Sequence, residues 1–422
     1  MKDDAQGSDL ASLGRRAEAA QRALGIDAGD RKSDALRAAA AHLRRNVAPI
    51  LAANAEDVNT VRAAGQPASR IDRLILDPGR LEAVARGLED IAALPDPVGE
   101  TIAEWRRPNG LSIRRVRVPI GVIGIIFESR PNVAAEAGAL AMKAGNAAIL
   151  RGGSDSWRTS MLITAQLRSG LADVGLGQDL VQMLPTTSRS AVGEMLSGLG
   201  GTLDLIVPRG GRSLVERVQR EARVPVLAHL EGLCHVYVHA AADPGKATAI
   251  CLNSKMRRTG VCGAAETILI DEAAAPALGR GIVATLIAAG CEVRGDDAVR
   301  ACDPRVVPAR EADWSTEYLD AIVSMRVVAG LDAAVAHIRR YGSEHTDSIV
   351  TEDAGAAERF LAEVDSAIVL HNASTQFADG GEFGFGGEIG IATGRLHARG
   401  PVGLEQLTTF KYQVRGDGQI RA

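Results

Sequence analysis

Long hydrophobic runs are missing from this sequence of 422 residues. The longest clean apolar stretch, VPIGVIGIIF, is broken by glycines and is far shorter than the ~20 residues that a membrane-spanning helix needs. The opening residues, MKDDAQGSDL, lack the apolar core of a secretory signal peptide. The net charge is only −4 and the 48 basic residues are spread along the chain, which argues against binding to nucleic acid or to a membrane surface. We therefore expect a soluble, cytoplasmic protein.

Cysteine is scarce, and its pattern predicts neither disulfides nor a metal site. The five cysteines are an odd number and form no CxxC pair, so reduced thiols are expected. His235 and His239 would share one face of a strand but lie roughly 13 Å apart at ~3.3 Å per residue, too far for one ion. No other set has zinc-like spacing, so no metal is predicted. The dinucleotide fingerprint G-x-G-x-x-G is also missing.

Helical and strand-like segments alternate along the chain. The first hundred residues show helical periodicity, as in SDALRAAAAHLRRNV, where Ser33 is the predicted N-cap. From residue 111, LSIRRVRVP alternates like a strand, and GVIGIIF is typical of a strand buried on both faces. The alternation continues, with one helix predicted from Ser154 and a packed glycine-rich loop at 379–394. The pattern predicts an α/β fold with parallel sheets, and the length predicts at least two domains.

Two glycine pairs follow apolar strands and precede helices. The segments are AILRGGSDSW and LIVPRGGRSLVERV, and each places a cation beside the glycines. A helix that begins after such a turn presents free N–H groups to an anion, so each segment is a candidate phosphate cradle. An ordinary strand-to-helix turn has the same pattern, and both interpretations stay open. The residues concerned are Arg151, Gly152, Gly153, Ser154, Arg209, Gly210 and Gly211.

Cys262 stands in a setting unlike that of a packing cysteine. It lies in NSKMRRTGVCGAAETILI, between small residues and shortly after three cations. Cations lower the pKa of a thiol and small neighbours admit a substrate, which favours a reactive thiolate, with a buried packing cysteine as the alternative. The other four cysteines are interpreted as packing residues. EHTDS, at 344–348, is interpreted as a turn and helix cap before a strand, with an acid/base group as the alternative.

Four long motifs resemble those of the γ-glutamyl phosphate reductases, a family within the aldehyde dehydrogenase superfamily. They are VPIGVIGIIFESRPNVAAEAGALAMKAGNAAILRGG, RRTGVCGAAETILI, YGSEHTDSIVTED and FGFGGEIGIATGRLHARGPVGLEQLTTFKY, in the family's order and spacing. The resemblance implies a cofactor-binding α/β domain at 1–104 and 122–227 and a catalytic α/β domain at 228–385. It also implies a small β oligomerisation flap at 105–121 and 400–422, with 386–399 returning to the cofactor-binding domain.

The same resemblance assigns the cofactor and the nucleophile. Cys262 occupies the position of the superfamily's nucleophilic cysteine. The position of the superfamily's adenosine-ribose lysine is Arg151 here. The position of the glutamate that hydrogen-bonds the ribose 2′-hydroxyl in NAD-preferring members is Ser154. Because a serine leaves room and charge for a 2′-phosphate, NADPH is the expected cofactor. The glutamate on the nicotinamide side falls on Glu317.

Two departures from the hydrolytic aldehyde dehydrogenases bear on the mechanism. The position of their general-base glutamate is Ala228 here, and the position of their oxyanion-hole asparagine is Glu128. Asn132 and the backbone N–H of Cys262 are therefore the candidate oxyanion donors. The missing base fits a reaction in which phosphate leaves and no water is activated.

The implied reaction is the NADPH-dependent reduction of L-glutamate 5-phosphate to L-glutamate 5-semialdehyde and phosphate through a cysteine thioester, in proline biosynthesis. A hydrolytic aldehyde dehydrogenase acting on a small anionic aldehyde is the alternative, and a non-catalytic binding protein is disfavoured because Cys262 is present. A homo-oligomer, either dimer or tetramer, and a separate glutamate 5-kinase are the expected partners. The residues assigned to the doubly anionic substrate are Glu128, Ser129, Arg130, Lys255 and Arg258, although each charge could instead be structural.

Overall fold

The computed structural model describes residues 2–25 and 29–421 and divides into two compact units. The first unit contains the chain up to Ala228, Gly384–Gly390, and the chain from Val402 onward; the second contains His229–Phe383 and Ile391–Pro401. The break after Ala228 lies one residue from the expected boundary. The expected return segment 386–399 is divided instead, because residues 391–392 pair antiparallel with 400–401 and stay in the second unit.

Sixteen strands and fourteen α-helices are assigned within the described residues. From the amino end to residue 228 they are α1 (Lys2–Leu24), α2 (Gly29–Arg45), α3 (Val47–Ala63), α4 (Ala68–Leu74), α5 (Pro78–Ala93), β1 (Thr101–Arg106), β2 (Ser112–Pro119), β3 (Val122–Phe127), α6 (Val133–Lys143), β4 (Ala147–Gly152), α7 (Trp157–Asp173), β5 (Val181–Met183), α8 (Arg189–Leu196), β6 (Leu205–Arg209) and α9 (Arg212–Glu221). The remainder are β7 (Cys234–Val238), α10 (Pro244–Met256), β8 (Ala265–Asp271), α11 (Arg280–Ala288), β9 (Glu292–Gly295), α12 (Asp297–Arg300), β10 (Val307–Pro308), β11 (Ile322–Val328), α13 (Gly330–Tyr341), β12 (Thr346–Val350), α14 (Ala354–Glu363), β13 (Ile368–His371), β14 (Ile391–Ala392), β15 (Gly400–Pro401) and β16 (Thr408–Arg415).

A four-stranded parallel sheet forms the centre of the first unit. Its order is β5-β4-β3-β6, and β3 and β4 are buried along their whole length, as their continuous apolar sequences predict. The strand order reverses between β3 and β6. In an open α/β sheet such a reversal opens a crevice at the carboxyl ends of the strands, so the loops after β3, β4 and β6 are the expected ligand-binding edge.

A separate antiparallel sheet, β1-β2-β16, belongs to the same unit. The strand β16 pairs with β2 from Thr408 opposite Pro119 to Arg415 opposite Ser112. Its outer residues Phe410, Tyr412 and Val414 are about half exposed, and Trp105 of β1 contacts Tyr412 edge-on. These strands correspond to the predicted flap, with β1 added from residue 101.

Seven parallel strands form the sheet of the second unit, in the order β10-β9-β11-β8-β7-β12-β13. The strands β8, β7 and β12 are neighbours in this order and are buried throughout. Because all seven run the same way, the segments that immediately precede them meet at one edge of the sheet. Cys262, Glu317 and His345 all lie in such segments.

Two helix starts differ from the sequence prediction. Helix α2 already begins at Gly29, so Ser33 lies inside it, and the Ser33 hydroxyl accepts a hydrogen bond of 2.6 Å from the buried Lys143 ammonium. Helix α7 begins at Trp157 rather than Ser154, because 153–156 form a turn in which Ser156 N–H donates to the Gly153 carbonyl. No helix among the described residues is long and apolar enough to cross a membrane.

Candidate active site

Two histidines flank the Cys262 thiol in the second unit. A ring nitrogen of His229, a ring nitrogen of His345 and the sulfur of Cys262 all lie within 4.8 Å of one another. The two rings meet edge-on with centroids 5.0 Å apart. Cys262 and His229 are half-buried, whereas His345 is fully buried. A thiol beside imidazole groups is the arrangement that activates a cysteine nucleophile.

The orientation of His229 follows from one backbone contact. Its Nδ1 lies 2.7 Å from the carbonyl oxygen of Ile391, which can only accept a hydrogen bond. Nδ1 therefore carries a proton in either charge state of the ring, and Nε2 is the atom that gains or loses one. On His345, Nδ1 lies 2.9 Å from the Thr346 hydroxyl and 3.5 Å from the Cys234 sulfur.

The electrostatics of this cluster favour a thiolate. Burial alone would raise the pKa of the Cys262 thiol, because it disfavours the charged form. The imidazoles oppose burial, His345 chiefly through its charge and His229 chiefly through a hydrogen bond, and together they bring the pKa of Cys262 well below its ordinary value. The two imidazoles therefore favour the thiolate form of Cys262.

Gly232 allows the cysteine loop to approach strand β7. A Cβ atom at this position would lie 2.1 Å from the Cys262 carbonyl oxygen, so no larger residue fits. The Gly232 N–H donates a hydrogen bond of 2.8 Å to Oε1 of Glu317. Burial raises the pKa of Glu317, and the charge of Cys262 adds to the rise while the Gly232 N–H opposes it. The predicted cofactor residue Glu317 thus lies within electrostatic reach of the thiol.

The remaining cysteines have the environment of packing residues. Burial raises the pKa of Cys251 to about 12 and that of Cys291 to about 11. Burial also raises the pKa of Cys234, whose thiol donates to the Cys262 carbonyl over 3.1 Å. Cys302 shows the same direction of shift for the same reason. Among the five cysteines, Cys262 alone has a lowered pKa.

The loops after β3, β4 and β6 place the predicted cofactor residues of the first unit together. The Glu128 N–H donates to the Arg209 carbonyl over 3.0 Å, and a Cβ at Gly210 would lie 2.8 Å from a carboxylate oxygen of Glu128. Gly211 is the N-cap residue of α9. Burial lowers the pKa of Arg151, while Glu128 and Asp155 oppose that effect. The Nε atoms of Arg151 and Arg209 are buried and have no hydrogen-bond partner within the described residues.

Ser129 holds the turn between β3 and α6. Its φ is +54°, an uncommon left-handed conformation for a residue with a side chain. The Ser129 hydroxyl donates to Asp155 over 2.5 Å and accepts from Nε of Arg70 over 3.1 Å, and Arg70 also pairs with Asp155 at 3.0 Å. The predicted substrate residue Ser129 therefore positions its neighbours Glu128 and Arg130. Ser154 is exposed in the turn that follows Gly153.

The remaining predicted substrate and oxyanion residues occupy different settings. Lys255 is fully buried, and its ammonium lies 2.6 Å from the carboxylate of Glu266, so its charge is structural and not available to a substrate phosphate. Arg258 is exposed in the cysteine loop, and its carbonyl accepts from Gln376 over 3.1 Å. Asn132 is the N-cap residue of α6 and makes no side-chain capping bond. Arg130 is half-buried.

Sequence reasoning assigned neither histidine to the thiol. His345 lies in EHTDS, interpreted as a turn, and His229 directly follows the missing general base at Ala228. The order of elements could have suggested the pairing of Cys262 with His345. Each of these residues lies just before an apolar strand of one parallel sheet, and the amino ends of parallel strands lie on the same side of the sheet. His235 and His239 have separate partners, Asp347 and Thr351, each at 2.8 Å.

The site also contains the one group of side chains, among the described residues, with the spacing of metal ligands. It consists of His229, Cys262 and His345. The same three atoms form the thiolate and imidazole cluster described above, which needs no ion for its geometry or its charge balance. The prediction that no metal is bound stays a prediction.

Comparison with known proteins defines the class. A family model described as "Aldehyde dehydrogenase family" matches residues 3–301, and the chain belongs to that family. The proteins similar to it include γ-glutamyl phosphate reductases. The protein of that name from Methylocella silvestris is 64% identical over 412 residues, covering 98% of this chain and 96% of the relative. The one from Bradyrhizobium diazoefficiens is 60% identical over 413 residues, covering 98% and 95%.

A solved structure supports the same assignment. The crystal structure of γ-glutamyl phosphate reductase from Thermotoga maritima superimposes with a TM-score of 0.95 at 44% sequence identity, covering 98% of this chain and all of that one. The resemblance inferred from the motifs is therefore confirmed, as is the aldehyde dehydrogenase-like α/β fold.

Proposed function

We propose that this protein reduces L-glutamate 5-phosphate to L-glutamate 5-semialdehyde and phosphate with NADPH, in proline biosynthesis. The observation that carries the proposal is the Cys262 thiolate held between His229 and His345, with alanine at position 228. Relatives of that name at 60–64% identity support this reaction over hydrolytic oxidation of an aldehyde.

The chemistry of the thiol follows from its surroundings. The Cys262 sulfur, held as a thiolate, attacks the acyl carbon of the acyl phosphate, and the bond from that carbon to the phosphate oxygen breaks. A thioester on Cys262 and free phosphate result. NADPH, when bound, supplies hydride to the acyl carbon. The backbone N–H of Cys262 and the Asn132 amide are the proposed donors to the oxygen on that carbon.

The residues at the carboxyl edge of the first unit's sheet fit an anionic dinucleotide. The cofactor is a nicotinamide dinucleotide, as in the aldehyde dehydrogenase family. Arg151 and Arg209 each have a buried Nε–H without a partner in the described structure, which a phosphate oxygen would satisfy. Gly152, Gly153, Gly210 and Gly211 are proposed to let the backbone approach the phosphates. Of the four, only Gly211 has open space where a Cβ would stand. Exposed Ser154 in place of a carboxylate favours NADPH, and Glu317 is proposed to hold the nicotinamide ribose.

Arginine is the proposed recognition element for the substrate. Arg130 and Arg258 would pair with its carboxylate and phosphate groups, because a guanidinium matches both geometrically. Glu128 and Ser129 shape the turn that presents Arg130. Lys255 is omitted from this set because Glu266 already neutralises it inside the unit.

The flap sheet supports assembly into a homo-oligomer. Phe410, Tyr412 and Val414 on β16 and Trp105 on β1 expose aromatic and aliphatic surface on a three-stranded sheet. Clustered exposed apolar side chains of this kind are typical of protein–protein contact surfaces. We propose a dimer or tetramer built through this sheet, a separate glutamate 5-kinase as supplier of the unstable substrate, and a cytoplasmic location.

A requirement for phosphate tests the proposed reaction. Run from semialdehyde and NADP⁺, the enzyme should form NADPH continuously only with phosphate or arsenate present. The measurement is the steady NADPH rate and the amount of free glutamate formed, with NAD⁺ in parallel. Brisk turnover to glutamate in buffer without either anion would overturn the proposal and establish the hydrolytic alternative.

A further inference from the structure

The two histidines beside Cys262 differ in their access to solvent and to a leaving group. His345 is fully buried, with its Nε2 shielded from water and its Nδ1 occupied by Thr346 and Cys234. His229 is half-buried, and its Nδ1 is fixed on the Ile391 carbonyl. The His345 ring is therefore shielded from bulk water, whereas the His229 ring is partly exposed to it.

The proposed reaction needs one proton for the phosphate group as it leaves the acyl carbon. A fully ionised acyl phosphate that breaks at the carbon–oxygen bond would release phosphate as a trianion, a strongly basic leaving group. A positioned acid that transfers its proton as the bond breaks removes this barrier. Lys255 cannot serve, because it is buried against Glu266. Ala228 cannot serve, because its side chain has no proton to give.

Building on the proposed function, we propose that His229 is the general acid that protonates the departing phosphate, and the general base toward phosphate in the opposite direction. His345 acts on the thiol alone. The thiolate, the His229 imidazolium and the acyl phosphate become a thioester, a neutral imidazole and hydrogen phosphate. The ring recovers its proton from solvent after the aldehyde leaves, which accounts for the one proton that the overall reduction consumes.

The neighbouring charges are consistent with this division of roles. The groups that face His229 are the Cys262 thiolate, the His345 ring and the Glu317 carboxyl. The thiolate stabilises the imidazolium before the attack. Once the sulfur is acylated that negative charge disappears, and the imidazolium then becomes a stronger acid beside the newly formed leaving group. The fixed Nδ1–H donor keeps the ring in place through both charge states.

The test separates acylation from phosphorolysis by withholding phosphate. Wild-type enzyme mixed rapidly with semialdehyde and NADP⁺ should form one NADPH per Cys262 and then stop, and phosphate should restart it. In H229N the first turnover should persist within about tenfold, whereas the phosphate-dependent rate should fall ~10²–10⁴-fold, the usual contribution of a general acid or base. In H345N the first turnover itself should slow, and it should recover as pH rises and the thiol ionises.

The control is H239N, because His239 is also half-buried with Nδ1 hydrogen-bonded, but lies at the far end of β7 from Cys234. It should leave both phases unchanged. Equal slowing of both phases in H229N would show that His229 acts only through the thiol, and unchanged rates in both phases would exclude any role. Either result overturns the proposal.

A measurement on the unmodified enzyme covers the case in which H229N does not fold. Deuterium oxide should slow the phosphate-dependent phase, in which a proton moves in the rate-limiting step, and leave the first turnover nearly unchanged. An isotope effect confined to the first turnover would contradict the assignment. If wild-type enzyme shows no NADPH burst, or needs no phosphate, the proposed function fails instead, whatever the variants do.

Discussion

Replacing Lys255 with methionine tests whether this cation is structural. Lys255 and Glu266 are each at most 2% exposed, and the ammonium lies 2.6 Å from the carboxylate. Methionine keeps most of the aliphatic stem but leaves the Glu266 carboxyl without its partner. Removing one member of a buried ion pair costs about 3–5 kcal/mol, and we expect the K255M protein to lose stability by that amount.

The loss of stability in K255M should depend on pH in a characteristic way. Burial raises the pKa of Glu266 from 4.5 to about 7 even beside Lys255, and loss of the ammonium raises it further. The folded variant then holds a proton on Glu266 that the unfolded chain releases above its ordinary pKa. Because the folded state binds more protons, the stability of K255M should fall as pH rises above 4.5, and it should keep falling above pH 7, where the loss in the wild type levels off.

The matched control lies on the same helix. Lys246 of α10 pairs with Glu352 at 2.8 Å, but both side chains are about half exposed, so K246M should lose far less stability than K255M. The assay is urea unfolding of both variants, and of K255M combined with E266Q, which should recover much of the loss. A K255M protein as stable as K246M, with weakened use of phosphate, would refute the reasoning and return Lys255 to the substrate site.

Three further variants test the proposed site. C262S should abolish turnover while leaving NADPH binding intact, because an alcohol lacks the nucleophilicity of a thiolate. Iodoacetamide near neutral pH should label the wild type on Cys262 first. Substantial activity in C262S would exclude covalent catalysis by this residue. S154E should disfavour NADPH relative to NADH by about 1.5–3 kcal/mol in kcat/KM if the serine faces the 2′-phosphate, and an unchanged ratio would place cofactor selectivity elsewhere. A228E should raise phosphate-independent oxidation of the semialdehyde by up to ~10²–10⁴-fold, because it introduces the general base that the hydrolytic enzymes have at this position. The measurement is the rate of glutamate formation. No gain in a folded variant would show that position 228 does not reach the thioester.

The sequence predicted the sheets and singled out Cys262 as the candidate nucleophile because each has a local signal. The strands β3 and β4 are continuous apolar runs, and Cys262 is surrounded by small and cationic residues. The helix that contains Ser33 could not be bounded from its N-cap pattern, because the hydroxyl serves a distant partner, Lys143, instead of its own helix. Charge alone suggested a substrate role for Lys255, since nothing nearby in sequence reveals that Glu266 lies against it across the fold.

The two histidines illustrate a different limit. Their function depends on three segments that lie far apart in the chain, 229–234, 262 and 345, and on a carbonyl at 391. No periodicity or short motif connects such positions. Only the order of strands in the parallel sheet brings their amino ends together, and that order is a tertiary property that a single sequence does not display.

The hydrogen bond from His229 to Ile391 has a consequence for protein synthesis. The second unit begins at His229 but takes Ile391–Pro401 from a segment that the ribosome makes much later. At about 5–20 residues per second, on the order of ten seconds separate the synthesis of Cys262 from that of residue 391. Until then the His229 ring has no anchor, so the nascent cysteine should be a less reactive thiol, and the chain should acquire its reactive sulfur only when synthesis is nearly finished.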